Sequence, residues 1–426
     1  MSHLRYVLTA AFALGAASPA FAQEPVPAVF ATAPLVASDG AVDSFYATRN
    51  QAPIWLRDAL SREAAAKLPG ILRRAPLDGL PEGPELGAGV EAALLSGQPA
   101  DDKIISAAWV RYVQALRRPV EGMSYGDAAL APEPGSATDI LARASAAPSL
   151  AAHVDEIARV NPLYSALRDA AASAGGDLDP RVKATLDRLR VVPAKGRAIL
   201  VDSANAELSM LQDGEVLGTM KVIVGKAGSP TPLLAGTIHY VTFNPYWHII
   251  DDVARRKVAP AVLKRGVSYL KAARYEVTSD WSSSSEAVDP ATIDWKAVAA
   301  GTSQVFVRQL PGEQNQMGAV KFSFENKEDI FLHDTPYKAL FKKPRRTLSL
   351  GCVRLEQADR LATWLLGRDT APPSDAPEVH VQLDKGVPVY LTYLSAMVRD
   401  GQISFADDVY SLDTATPNVI AAAAGK

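Results

Sequence analysis

The sequence predicts an α+β protein: an N-terminal α-helical domain followed by a β-rich domain that carries a helical insertion. Three observations predict it. Apolar residues recur at helical spacing up to about residue 190, alternate from residue 197, and return to helical spacing between 251 and 300. Asp213-Gly214, set between two alternating runs, is a strong hairpin turn. A length of 426 residues leaves room for two or three domains.

Taken in order, the chain opens with a leader. Arg5 supplies a positive start, and Tyr6 to Ala17 form an apolar core too short to span a membrane. Ala20-Phe21-Ala22 then fits a small-x-small cleavage pattern. Residues 1–22 are therefore expected to direct export and to be removed, leaving no transmembrane segment. Cleavage takes away one arginine and no acid, which moves the net charge from −3 to −4. So mild an acidic balance offers no footprint for nucleic acid or for an anionic membrane.

Residues 23–194 read as the helical domain. "AAWVRYVQALRR" places Trp109, Tyr112, Val113 and Leu116 on one face, and "PRVKATLDRLRVV" does the same with Val182, Leu186 and Leu189. Residues 131–137 and 173–177 are loops by composition. No polar constellation in this half suggests chemistry. The β-rich domain spans 195–395, with strands at "RAILVD", "AELSML", "TMKVIVG" and "TIHYVTFN". The insertion at 251–300 is helical and ends in the serine-rich "DWSSSSEAVDP". Strands resume at "SQVFVR", "AVKFSF" and "DIFLH", and later at "VHVQL" and "VPVYLTYL". Residues 396–426 form a C-terminal extension, disordered from 411 onward.

The chemistry concentrates in "LHDTPYKALFKKPRRTLSLGCVRLE", residues 332–356. Cys352 is the chain's single cysteine, so it forms no internal disulfide, which leaves a buried thiol, a chance survivor or a nucleophile. His333 closes a strand, facing away from Ile330 and Leu332, and Asp334-Thr335-Pro336 forces a loop after it. Beyond Cys352, "QADRLATWLLG" reads as an amphipathic helix with Gly367 as its C-cap. A position leading toward a helix N-terminus, with Arg354 two residues on, favours thiolate over thiol. A histidine within reach can serve as its base. The N–H groups of Gly351 and Cys352 are candidates for an oxyanion hole.

The surrounding residues sharpen this. His333, the fifteen residues from Asp334 to Leu348, and then "SLGCVR" resemble the motif of the L,D-transpeptidases, whose catalytic domain is the YkuD type. "VGKAGSPTPLLAGTIHYVTFNPYWHI" resembles the same family's Gly-x-x-x-x-x-Thr-Pro segment in its long form. Together the two motifs carry the likeness over about 195–395. "SFYATRNQAPIWL" (44–56) and "WVRYVQALRRPVEG" (109–122) are similar to the helical scaffold region of the large periplasmic members.

The resemblance implies a periplasmic enzyme without metal or cofactor. Cys352 would be the nucleophile and His333 its base; Gly351 and Cys352 would form the oxyanion hole, with Ser349 and Arg354 shaping the loop. Tyr246, Trp247, Asp334 and Thr335 would border the substrate groove, and 251–300 would be the capping subdomain. The substrates would be peptidoglycan tetrapeptide stems, donor and acceptor, joined through diaminopimelate after release of the terminal D-alanine. Carbapenems would acylate the same cysteine. Two departures stand out: Leu350 occupies a position that is histidine in many members, and no compact peptidoglycan-binding module fits before the catalytic domain.

Other features read more plainly. "GKAGSP" (225–230) fails the phosphate-loop spacing and reads as a strand-end turn. His239 and His248 lack a metal-binding pattern and read as packing or groove residues. "LKRGVSYLKAARYE" reads as a solvated helix over an apolar stripe. "KKPRR" (342–346) is a solvated loop or, beside the site, an attractor of anionic peptide. Two rival functions remain from sequence: an L,D-carboxypeptidase or other hydrolase of the same fold, and a catalytically silent wall scaffold.

Overall fold

The computed structural model describes residues 39–176, 178–282, 285–368, 372 and 374–413. The expected leader and the last thirteen residues lie outside the described residues.

The N-terminal half is helical: α1 (Asp39–Thr48), α2 (Ala59–Ala65), α3 (Leu68–Arg74), α4 (Gly83–Ser96), α5 (Asp102–Leu116), α6 (Ala137–Ala146), α7 (Leu150–Arg159), α8 (Pro162–Ala174) and α9 (Pro180–Leu189). Capping explains several starts. Ser136, Ser149 and Asn161 accept from the backbone N–H three residues on, and Pro sits in the first turn of α8 and α9. The apolar face read from α5 is buried, with Trp109 and Tyr112 wholly enclosed. Asp102, also enclosed, accepts from the backbone N–H groups of Ile54, Trp55 and Leu56, which pins the segment after α1 to α5.

The second half is a closed barrel. Its strands are β2 (Arg197–Asp202), β3 (Glu207–Gln212), β4 (Glu215–Gly225), β5 (Leu234–Phe243), β9 (Val320–Phe322), β10 (Leu332–His333), β12 (Val353–Leu355) and β13 (Val379–Thr392). They pair in the order β5-β13-β2-β3-β4-β12-β10-β9, and β9 pairs back onto β5. The alternating residues point inward: Ile199, Val201, Val222, Phe322, Leu332 and Val353 share one core. Asp213 (φ 53°) and Gly214 (φ 78°) make the two-residue turn between β3 and β4, the paired positive φ values that a tight hairpin demands. "VHVQL" and "VPVYLTYL" are one strand rather than two, β13, with a register shift between Gln382 and Val387. Helix α14 (Ala358–Leu366) closes one end, burying Leu361, Ala362 and Leu365 and ending at Gly367 in the left-handed conformation.

The barrel and helices share a core. Ala198, Leu200, Leu211 and Tyr390, on the outward face of the barrel wall, pack into the helical cluster. A short strand after α5, β1 (Ser124–Tyr125), pairs in parallel with β5. Gly126 then donates to Ala235 O at 2.8 Å, where a Cβ would stand 1.7 Å from Glu325 O.

The insertion differs from the all-helical expectation. Its helices, α10 (Asp251–Val253), α11 (Ala259–Arg265), α12 (Ser268–Ala272) and α13 (Trp295–Ala300), pack on a three-stranded sheet. That sheet is β6 (Trp247–Ile249), β8 (Phe306–Gln309) and β7 (Tyr275–Thr278), in that order. A turn of wider, π-type winding at Ala254–Val258 joins α10 to α11.

The extension is not featureless either. β14 (Ala396–Arg399) and β15 (Gln402–Phe405) form a hairpin, and Asp413 pairs with the buried Arg188 at 2.6 Å. No described helix is long and apolar enough to cross a membrane.

Candidate active site

His333 ends β10, in register with Arg354 on parallel β12 and with Lys321 on antiparallel β9. Leu332 points into the barrel, so His333 points out of it. It is nonetheless only 5 % exposed, so a place at the strand end does not leave it open to solvent. Its Nδ1 lies 2.6 Å from the carbonyl of Asp334. A carbonyl only accepts, so Nδ1 carries the ring proton and Nε2 presents its lone pair. Burial first, and then the Arg354 guanidinium, drives the imidazole pKa down to about 3. The resting ring is therefore neutral, and burial makes it a weaker base than a free imidazole.

Cys352 stands just before β12, half-buried against the barrel core, with Sγ 3.7 Å from the carbonyl of Asp329. Here the sequence expectation is corrected. Strand β12 separates Cys352 from α14, which starts at Ala358, so no helix end faces the sulfur. Burial raises the thiol pKa, and the Phe331 backbone and Arg354 offset this only in part. The resting pair is a neutral thiol and a neutral imidazole.

The loop before Cys352 is held from both sides. Gly351 adopts φ 125°, and a Cβ there would sit 2.9 Å from Ile330 Cδ1. Its N–H is directed to Ser349 Oγ at 3.2 Å, so it is already engaged. Among the described residues Cys352 N–H makes no hydrogen bond to another residue. Thr231 Oγ1 donates to Gly351 O at 2.6 Å and accepts from Gly225 N at 2.9 Å. β11 (Thr347–Ser349) pairs with β4, placing Ser349 beside Gly225. Tyr410 Oη donates to Gly225 O at 2.6 Å, which ties the C-terminal extension to the same loop.

The expected groove residues divide. Trp247 packs toward the insertion core, against Tyr275, since it sits on the inner face of its sheet. Tyr246 stacks on His248 with Arg308 4.3 Å from its ring centre, on the outer face. Asp334 is a loop tie: its carboxylate accepts from Ala319 N at 2.9 Å and Lys338 Nζ at 2.6 Å. Thr335 is buried and accepts from Tyr337 N at 3.3 Å. Within "KKPRR", Arg346 is structural, bonded to the carbonyls of Val222, Asn205 and Ala206. Leu350 is 50 % exposed beside the turn.

Sequence reasoning missed Asn326 and Tyr410. Asn326 shapes the turn that presents Asp329 O, donating to Phe324 O and Ile330 O and accepting from Ile330 N. No local pattern marks it, because its partners are backbone atoms. Thr231 did have a signal, the Thr-Pro segment, and its hydrogen bond to Gly351 supplies the physical reason.

Residues 196–390 match the model of the YkuD L,D-transpeptidase catalytic domain, and residues 40–170 match that of the Scaffold domain. A Haemophilus influenzae protein whose name places it provisionally among the L,D-transpeptidases is 26 % identical over 389 residues, 86 % of this chain and 77 % of its own length. Among solved structures, an L,D-transpeptidase from Mycobacterium smegmatis is similar at 13 % identity and TM-score 0.22, over 46 % of this chain and 58 % of that one. LdtMt1, solved with imipenem, is similar at 11 % identity and TM-score 0.23, over 46 % of this chain and 59 % of that one. The chain thus spans under two thirds of either solved protein. The chain carries a YkuD L,D-transpeptidase catalytic domain set behind a Scaffold domain.

Proposed function

We propose that this protein forms diaminopimelate-to-diaminopimelate cross-links in peptidoglycan through an acyl-enzyme on Cys352, and that it does so after export to the periplasm. The observation that carries the reading is the fixed tautomer of His333. Nδ1–H is committed to Asp334 O, which leaves Nε2 neutral and unprotonated, and β10 lies in register with β12, the strand that Cys352 precedes.

In this mechanism Sγ attacks the carbonyl between diaminopimelate and the terminal D-alanine of a tetrapeptide stem while Nε2 takes the thiol proton. Cys352 N–H stabilises the oxyanion. The tetrahedral intermediate collapses, the proton passes from Nε2 to the departing amine, and D-alanine leaves a thioester behind. An acceptor amine then attacks the thioester, gives its proton to His333 and restores the thiol. The raised thiol pKa fits this order, with the proton moving during attack rather than beforehand.

Incubating purified sacculi with the protein and separating the muropeptides tests the reading. Dimers linked through diaminopimelate, absent with Cys352→Ala, are expected. Trimmed stems alone would make it a carboxypeptidase, and unchanged muropeptides would make it a scaffold. A carbapenem is a second probe, expected to add once per chain at Cys352.

A further inference from the structure

Across the outer face of the barrel, four adjacent strands set Thr242, Lys321, His333 and Arg354 in one register row. Neighbouring strands lie about 4.8 Å apart, so the two cationic residues sit on the order of 10 Å from each other with His333 between. Their alternation partners Phe322, Val353 and Leu355 fill the barrel, which fixes both side chains on the His333 side.

Neither cation is neutralised. The carboxylate next to His333 is spent elsewhere, since Asp334 holds Lys338 at 2.6 Å. Among the described residues Lys321 and Arg354 have no carboxylate within ion-pair distance. The Lys321 ammonium rests 5.4 Å from the centre of the Phe331 ring, and that ring meets His333 edge-on at 5.9 Å. Both residues are half-buried. Two uncompensated cations beside a buried imidazole weaken the fold, and a sequence chosen for stability alone would supply an acid. The row is instead shaped for an anion that arrives with the substrate.

We infer that Lys321 and Arg354 form a two-sided anion subsite for a free carboxylate of the donor peptide, with Lys321 as its specificity-determining residue. The inference rests on the peptidoglycan reading above and deepens it. A tetrapeptide donor carries carboxylates on both sides of the scissile bond, one on the terminal alanine and one on the diaminopimelate side chain. Either would gain a charge-assisted hydrogen bond at Lys321. That bond persists from bound substrate to transition state, so its loss appears in KM rather than kcat.

The test is steady-state release of the terminal residue from three synthetic stems: the free acid, the analogue amidated at the terminal alanine, and the analogue amidated at the diaminopimelate side chain. With the free acid, Lys321→Gln is expected to raise KM roughly ten- to a hundredfold with kcat little changed, and Lys321→Arg to restore most of it. One amidated analogue should show the same rise on the wild-type protein and no further rise with Lys321→Gln; which one identifies the carboxylate. The wild-type comparison needs no variant to fold. A wild-type protein indifferent to both amidations, or a Lys321→Gln protein with unchanged KM on the free acid, would overturn the subsite while leaving the proposed reaction standing. A wild-type protein that turns over none of the stems would remove both.

Discussion

Replacing Thr231 by valine keeps the shape of the side chain and deletes one oxygen. That oxygen donates to Gly351 O at 2.6 Å and accepts from Gly225 N at 2.9 Å, and all three residues are buried. Two backbone groups would lose their partner with no water to replace it. Each such loss costs about 1–3 kcal/mol, and because the two share a network their sum is not additive. A destabilisation on the order of 3 kcal/mol is expected, read as a fall in the urea midpoint with an unchanged slope. Because Gly351 precedes the proposed nucleophile, the acylation rate of Cys352 in the surviving folded protein should fall about tenfold or more. Thr231→Ser, which keeps the oxygen, should stay close to wild type in both measurements. Equal losses in the serine and valine variants would mean that the oxygen alone does not carry the effect. Wild-type stability and acylation in the valine variant would refute the clamp altogether.

Three further outcomes follow from the same geometry. His333 has a folded-state pKa of about 3 against an ordinary value near 6.5, so the unfolded chain binds the extra proton across that window. Stability should therefore be full above pH 6.5 and decline as pH falls toward 3, by roughly several kcal/mol. Urea midpoints for His333→Gln should show a flatter pH dependence; an identical slope would mean that the ring titrates as in water. Tyr410→Phe removes the hydrogen bond to Gly225 O but keeps the stacking on Tyr393, at 5.2 Å between ring centres. It should cost about 1 kcal/mol and slow acylation a few-fold, with an unchanged rate counting against any role of the extension at the site. Gly126→Ala places a methyl group 1.7 Å from Glu325 O and should lower the thermal midpoint by several degrees, whereas Gly70→Ala, which meets nothing within 4 Å, should not.

Local chemistry was legible in the sequence, and long-range register was not. The Asp213-Gly214 turn, the buried face of α5 and the Gly367 helix end follow from spacing and backbone preference, and each appears in the structure. Strand alternation gave the direction of His333 correctly. Its burial depends on strands β9 and β12 being its neighbours, which pattern alone does not reveal. The depressed thiol pKa expected at Cys352 assumed a helix directly after the loop, and the three residues of β12 had too little alternation to announce a strand. Trp247 illustrates a one-residue slip: adjacent to Tyr246 in sequence, it faces the opposite side of its sheet and so packs into the insertion core. The row of Lys321, His333 and Arg354 draws on residues from three separate segments. Only the closed barrel brings them side by side.

The central claim is that Cys352 carries the acyl group, and rapid-quench mass spectrometry of the intact protein with a tetrapeptide stem tests it most directly. Acid quenching within the first turnover should reveal an adduct equal in mass to the stem acyl group after loss of its terminal D-alanine. Digestion should place it on the peptide containing Cys352, and His333→Gln should slow its appearance by at least a hundredfold. Product formation with no adduct at any quench time, or an adduct that persists in Cys352→Ala, would contradict the account.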